Sequence, residues 1–179
     1  MSNNIEEDSQ SSPFGGVGGG CTSFPCATVA NVVCGFDILG FALNEPCDEL
    51  MLELSDEPGV HIINNDEYNL PTDAEKNVSG AALLALLDDA KDIKGFTLHS
   101  TKQIKPGSGI GSSAASAAGA VVAANTLLQN RYNKELLVRF AMFGEKVASG
   151  VKHADNIAPC IYFFYCRWDF GFQNCTLAR

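Results

Sequence analysis

Lys105-Pro106-Gly107-Ser108-Gly109-Ile110-Gly111-Ser112-Ser113 is the stretch on which the fold turns. Before it, Gly95 to Ile104 alternates, with Phe96, Leu98 and Ile104 in one register and Thr97, His99, Thr101 and Gln103 in the other, the pattern of a half-buried strand. After it, an Ala-rich segment running to about Asn130 reads as a helix. Strand, glycine loop and helix in this order suit the binding of phosphate. Glycines at 107, 109 and 111 can take positive φ and bring backbone N–H groups close to an anion, while the helix aims its unpaired N–H groups and positive dipole end at the same point. The hydroxyls of Ser112 and Ser113 add donors or a ligand for Mg²⁺. A turn whose small residues only permit close packing would show the same spacing, so the glycines alone leave both readings open. The string is not a Walker A loop, which needs Gly-Lys-Ser/Thr, and Ser112 stands where a dinucleotide fingerprint needs its third glycine.

Working outward, Asp48 to Leu54 alternates as a strand, with Leu50, Leu52 and Leu54 on one side and Glu49, Met51 and Glu53 on the other. A turn at Asp56-Glu57-Pro58-Gly59 precedes a short strand from Val60 to Ile63. Val78 to Leu87 is an apolar run long enough for a buried helix, with Asn77 as its N-cap. A final helix, from about Lys134 to Ala148, sets Leu137, Phe140, Ala141, Gly144 and Ala148 at helical spacing, with Glu145 bordering that face.

Composition narrows the function classes. Apolar residues are 46% and charged residues 18% of 179, ordinary globular usage for one domain. A net charge of −9 repels a phosphate backbone and an anionic membrane surface, so neither nucleic acid nor membrane is an expected partner. The 7 cysteines are odd in number and form no C-x-x-C pair, which argues against a disulfide framework and a zinc site and for a reducing compartment, the cytoplasm. The N-terminus, with Glu6, Glu7 and Asp8, lacks the basic and apolar regions of a secretory signal. Residues 1–20, ending in a glycine-rich run, read as a disordered tail. Ile110 to Leu128 carries no charge, but its Ala, Gly and Ser content gives too little apolar drive for a membrane span.

Gly107 to Ser116 closely resembles the second motif of GHMP kinases, their ATP loop. Two further segments are similar to the homoserine kinase branch of that family. One is Ala27-Thr28-Val29-Ala30-Asn31 followed by Gly35-Phe36-Asp37-Ile38-Leu39-Gly40. The other is Gly144-Glu145 with Ser149 to Pro159. The similarity runs from about Phe24 to Tyr162, with departures. Pro25 and Cys26 stand in swapped order, Val33 and Cys34 replace a usual Gly-Pro, and Lys105 sits where many members have the loop's leading proline. None of these removes a hydrogen-bonding group.

The resemblance implies an α+β fold, the GHMP kinase N-terminal domain (ribosomal protein S5 domain 2-like), over residues 21–162. It implies ATP bound by Lys105, Pro106, Gly107, Ser108, Gly109, Ile110, Gly111, Ser112, Ser113, Ala114 and Ala115, with Mg²⁺ on Ser113 and Glu145. It assigns Asn31, Asp37, His153, Asp155 and Asn156 to L-homoserine, with Glu145, Asp155 and Asn156 at the chemistry. A homodimer is implied for the full-length enzyme. Taken without the family, Asn31 and Asp37 are equally turn formers or caps, Asn156 before Ile157-Ala158-Pro159 equally an N-cap, His153 a packing histidine, and Glu145 a solvated helix residue. Related mevalonate kinases place an aspartate base where Asn156 stands, so positioning and charge neutralisation are expected to carry the reaction.

After Tyr162 the resemblance stops. Residues 163–179 read as an aberrant tail, expected from a frameshift or a mispredicted gene end, and the family's C-terminal domain with its substrate-gripping arginines is expected to be absent. On that reading the chain alone is expected to be inactive and prone to aggregate.

Overall fold

A computed structural model describes residues 19–32, 39–163 and, for the backbone, 165–167. The elements in chain order are β1 (Cys21–Phe24), β2 (Cys26–Ala30), β3 (Gly40–Cys47), β4 (Glu49–Ser55), β5 (Gly59–Asn64), α1 (Val78–Asp89), β6 (Gly95–Thr101), α2 (Ser112–Leu127), α3 (Lys134–Ser149), α4 (Ile157–Tyr162) and β7 (Tyr165–Arg167). Five strands form one sheet in the order β5-β6-β4-β1-β7, and β2 pairs with β3 in a second, two-stranded sheet. β4 runs antiparallel to β6 from Glu49↔Thr101 to Ser55↔Gly95, whereas β5 is parallel to β6, with α1 as the crossover.

The period-2 expectation holds where it matters for the core. Leu50, Leu52, Phe96 and Leu98 are all fully buried, each side chain contributing about 1.5–3 kcal/mol by leaving water. Leu54 shares the register but is 45% exposed near its strand's end. Against this face lies α2, whose small side chains let it be enclosed on all sides. A Cβ on Gly119 would come within 2.6 Å of Pro25 Cγ and 2.8 Å of Leu50 Cδ1, so that glycine sets how closely helix and sheet approach. Asn77 caps α1, its side chain accepting from the amides of Ser79 at 2.9 Å and Gly80 at 3.1 Å. α3 begins at its own cap, Asn133, and buries Leu137, Phe140, Ala141 and Gly144, while Ala148 is exposed.

Several expectations need correction. α3 is not the last helix: α4 follows it, six residues being too few for a readable period. β1, β2 and β3 carry no clean alternation, and β3 is mostly half-exposed. The backbone of Tyr165–Arg167 pairs antiparallel with β1. Cys26 and Cys47, register partners across β2 and β3, are joined by a disulfide, which an odd cysteine count did not anticipate. Residues 1–18, within the expected N-terminal tail, lie outside the described residues, as do 33–38 and with them Asp37. No described helix is long and apolar enough to cross a membrane.

Candidate active site

The glycine loop has the backbone its composition requires. Gly107, Gly109 and Gly111 have φ of 75°, 80° and 66°. Gly111 is the N-cap of α2 in the left-handed region and makes no side-chain cap bond, so the amides of Ser112, Ser113 and Ala114 have no acceptor within the helix. Around this helix start lies a cavity of about 460 Å³. The loop contributes Pro106, Gly107, Gly109 and Gly111, and α2 contributes Ser112, Ser113 and Ser116. Glu145 and Ser149 enter from α3, Asn156 from the start of α4, and Pro71, Asn77 and Val78 also line it.

Ser113 donates its hydroxyl to Glu145 Oε2 at 3.0 Å, joining the first turn of α2 to α3. Burial raises the Glu145 carboxyl above its ordinary range, against the Ser113 hydrogen bond that lowers it; Asp155 pushes the same way as burial and His153 opposes. One carboxylate and one hydroxyl suit Mg²⁺, which takes few protein ligands and shares its shell with phosphate oxygens. Among the described residues no three His, Cys, Asp or Glu side chains converge as a denser metal site.

Not every expected residue offers a polar side-chain group to this cavity. The Ser112 hydroxyl donates to the Ile104 carbonyl at 2.9 Å, so its proton serves the loop's base. Lys105 and Ser108 are exposed, Ile110 packs against the core, and the methyls of Ala114 and Ala115 are buried within it. Asn31 follows β2 with φ of 59° and, like His153, is not in the cavity wall. Asp155 is 9% exposed, accepts from the Asn156 amide at 3.0 Å, and lines a different cavity of about 570 Å³ with Gly40, Pro159 and Tyr162. The structure thus unites Asn156, Glu145 and Ser113 with the loop and sets Asp155 behind them.

One constellation escaped the sequence reading. Lys102, with a side chain 2% exposed, forms an ion pair with Asp48, which is wholly buried. Its ammonium also donates to Ser116 Oγ at 2.8 Å and to the Ser112 carbonyl at 3.1 Å. Burial pushes that ammonium below its ordinary value, and Asp48 pulls the other way. Asp48 Oδ1 in turn accepts the amides of Gln103 and Ile104, both at 2.8 Å. The signal was present: Lys102 falls in the buried register of Phe96 and Leu98.

The family model described as the GHMP kinases N terminal domain matches residues 77–163. The homoserine kinase of Chlorobium phaeobacteroides is 45% identical over 150 residues, 77% of this chain and 47% of that protein. The homoserine kinase of Xylella fastidiosa is 39% identical over 181 residues, 100% of this chain and 54% of that one. The crystal structure of homoserine kinase from Cytophaga hutchinsonii superposes with a TM-score of 0.75 at 46% identity, covering 83% of this chain and 48% of that one. A galactokinase from Lactococcus lactis, at 16% identity and a TM-score of 0.62, shares the fold. The chain spans about half the length of the curated relatives it matches. By loop, fold and kinship, the chain carries a GHMP kinase N-terminal domain, matched over residues 77–163.

Proposed function

We propose that this chain is the nucleotide-binding half of a cytoplasmic homoserine kinase, which transfers the γ-phosphoryl group of ATP to the hydroxyl of L-homoserine. The observation that carries the reading is the meeting of the positive-φ glycine loop, the open start of α2, the Ser113–Glu145 pair and Asn156 around one cavity. Loop and helix amides hold the phosphates. Ser113 and Glu145 would hold Mg²⁺, which when bound neutralises phosphate charge. Among the described residues Glu145 is the only carboxylate in the cavity wall and is engaged by Ser113, and Asn156 is assigned to the acceptor's side. The substrate oxygen therefore forms its bond to the γ-phosphorus in line as the bond to the β-phosphate oxygen breaks, and its proton passes to a phosphate oxygen. The homoserine contacts of Asn31, Asp37, His153 and Asp155, and pairing into a homodimer, are part of the same proposal.

The test measures binding and turnover separately. ATP with Mg²⁺ is titrated into the chain by calorimetry, and ADP release is followed with L-homoserine, mevalonate and galactose. Saturable binding of nucleotide by the chain is the expected result, with release only on L-homoserine in a version extended to the relatives' length. Release on another alcohol reassigns the acceptor, binding without release limits the chain to nucleotide binding, and absence of binding defeats the proposal.

A further inference from the structure

One residue stands behind the cavity wall at Asn156 without itself lining the cavity. Thr28, on β2, is fully buried. Its amide donates to the Ile110 carbonyl at 3.1 Å, and its hydroxyl donates to Asn156 Oδ1 at 2.9 Å. A Cβ on Gly111 would lie 2.0 Å from Thr28 Oγ1 and 3.1 Å from Asn156 Oδ1, so glycine loop, β2 and the start of α4 are packed against one another at this point. Asn156 makes no side-chain cap bond to α4, so helix capping does not fix its carboxamide. Thr28 engages the oxygen end.

We infer that Thr28 is a positioning residue that holds the Asn156 carboxamide with its oxygen turned away and its NH₂ presented to the cavity. This rests on the kinase reading for its consequence, though the orientation itself does not. An amide held this way is a donor. It can stabilise oxygens of the transferring phosphoryl group, and it cannot accept the proton of the attacking alcohol. A flipped amide would offer a carbonyl to phosphate, an acceptor facing an anion. Nothing in the sequence marks Thr28 for this role, because its partner lies in another part of the chain.

The experiment follows the Asn156 side-chain amide signals by NMR in the ¹⁵N-labelled chain, assigned through their loss in Asn156→Ala. Without nucleotide, Thr28→Val should shift or broaden these signals while Thr28→Ser leaves them near their wild-type positions. Unchanged signals in Thr28→Val overturn the inference whatever the enzyme's activity. With ATP and L-homoserine, Thr28→Val should lose roughly 10²-fold in kcat with little change in the KM for ATP, and Thr28→Ser should recover most of it. A loss confined to KM, or equal loss in both variants, also overturns it. A wild-type chain without turnover leaves the nucleotide-free spectra to decide the orientation.

Discussion

Lys102 and Asp48 form a buried ion pair that joins the first turn of α2 to the segment leading into the glycine loop. Each side chain is satisfied beyond its partner, Lys102 by Ser116 and Asp48 by two backbone amides, which is the condition for such a pair to be tolerated in a core. Asp48→Asn keeps an acceptor for the amides but strands the ammonium, and should cost about 3–5 kcal/mol in urea unfolding. Adding Lys102→Met to that variant should restore most of the loss. A double variant as unstable as the single one would contradict this account.

Glu145 and Ser113 should act together on metal-dependent binding. Ser113→Ala and Glu145→Gln are each expected to weaken binding of ATP with Mg²⁺ by about 1.5–3 kcal/mol, with much smaller effects when Mg²⁺ is left out. Calorimetry with and without the cation separates these effects.

The raised carboxyl of Glu145 gives this prediction a pH dependence. Because its folded value lies above the ordinary 4.5, the folded state holds the proton longer than the unfolded chain as pH rises. Stability present below the ordinary carboxylate value is therefore lost as pH rises through the raised folded value. Glu145→Gln should flatten that slope and melt higher than wild type at neutral pH without Mg²⁺. Acidification toward the raised value should weaken binding of ATP with Mg²⁺, since proton and cation compete.

Two glycines on the helices and loop should fail differently. A Cβ on Gly144 would sit 2.3 Å from the Val78 carbonyl, so Gly144→Ala should destabilise by about 1–3 kcal/mol through overpacking of α3 on α1. A Cβ on Gly107 meets nothing within 4 Å, yet its φ of 75° makes Gly107→Ala cost about 1–2 kcal/mol of backbone strain. Thermal melts should detect both, and weakened nucleotide binding should follow from the loop change.

Cys160 is buried, and desolvation pushes its thiol up to about 12. It should resist iodoacetamide at pH 8 in the folded chain and react once urea unfolds it, as mass spectrometry of timed samples can show.

What could be read from the sequence follows from the range over which each signal acts. Strand β6, the caps at Asn77 and the glycine φ values depend on neighbours within a few residues, and all were legible. The Asp48–Lys102 pair spans 54 positions and the Thr28–Asn156 bond 128, so no local window contains both partners. Lys102 was nonetheless visible as a charge in a buried register. Asp155 illustrates the reverse: adjacent to Asn156 in sequence, it faces a different cavity, because one step at the start of α4 turns the side chain to another side.

Enclosure of α2 on every side has a mechanical corollary. A phosphate grip mounted on a surface hairpin could loosen or tighten by itself, but this one begins the rod around which strands and helices are assembled. Occupancy of the glycine cradle is thereby coupled to the cohesion of the entire folding unit, and a nucleotide's presence should be felt at distant amides as slower hydrogen exchange.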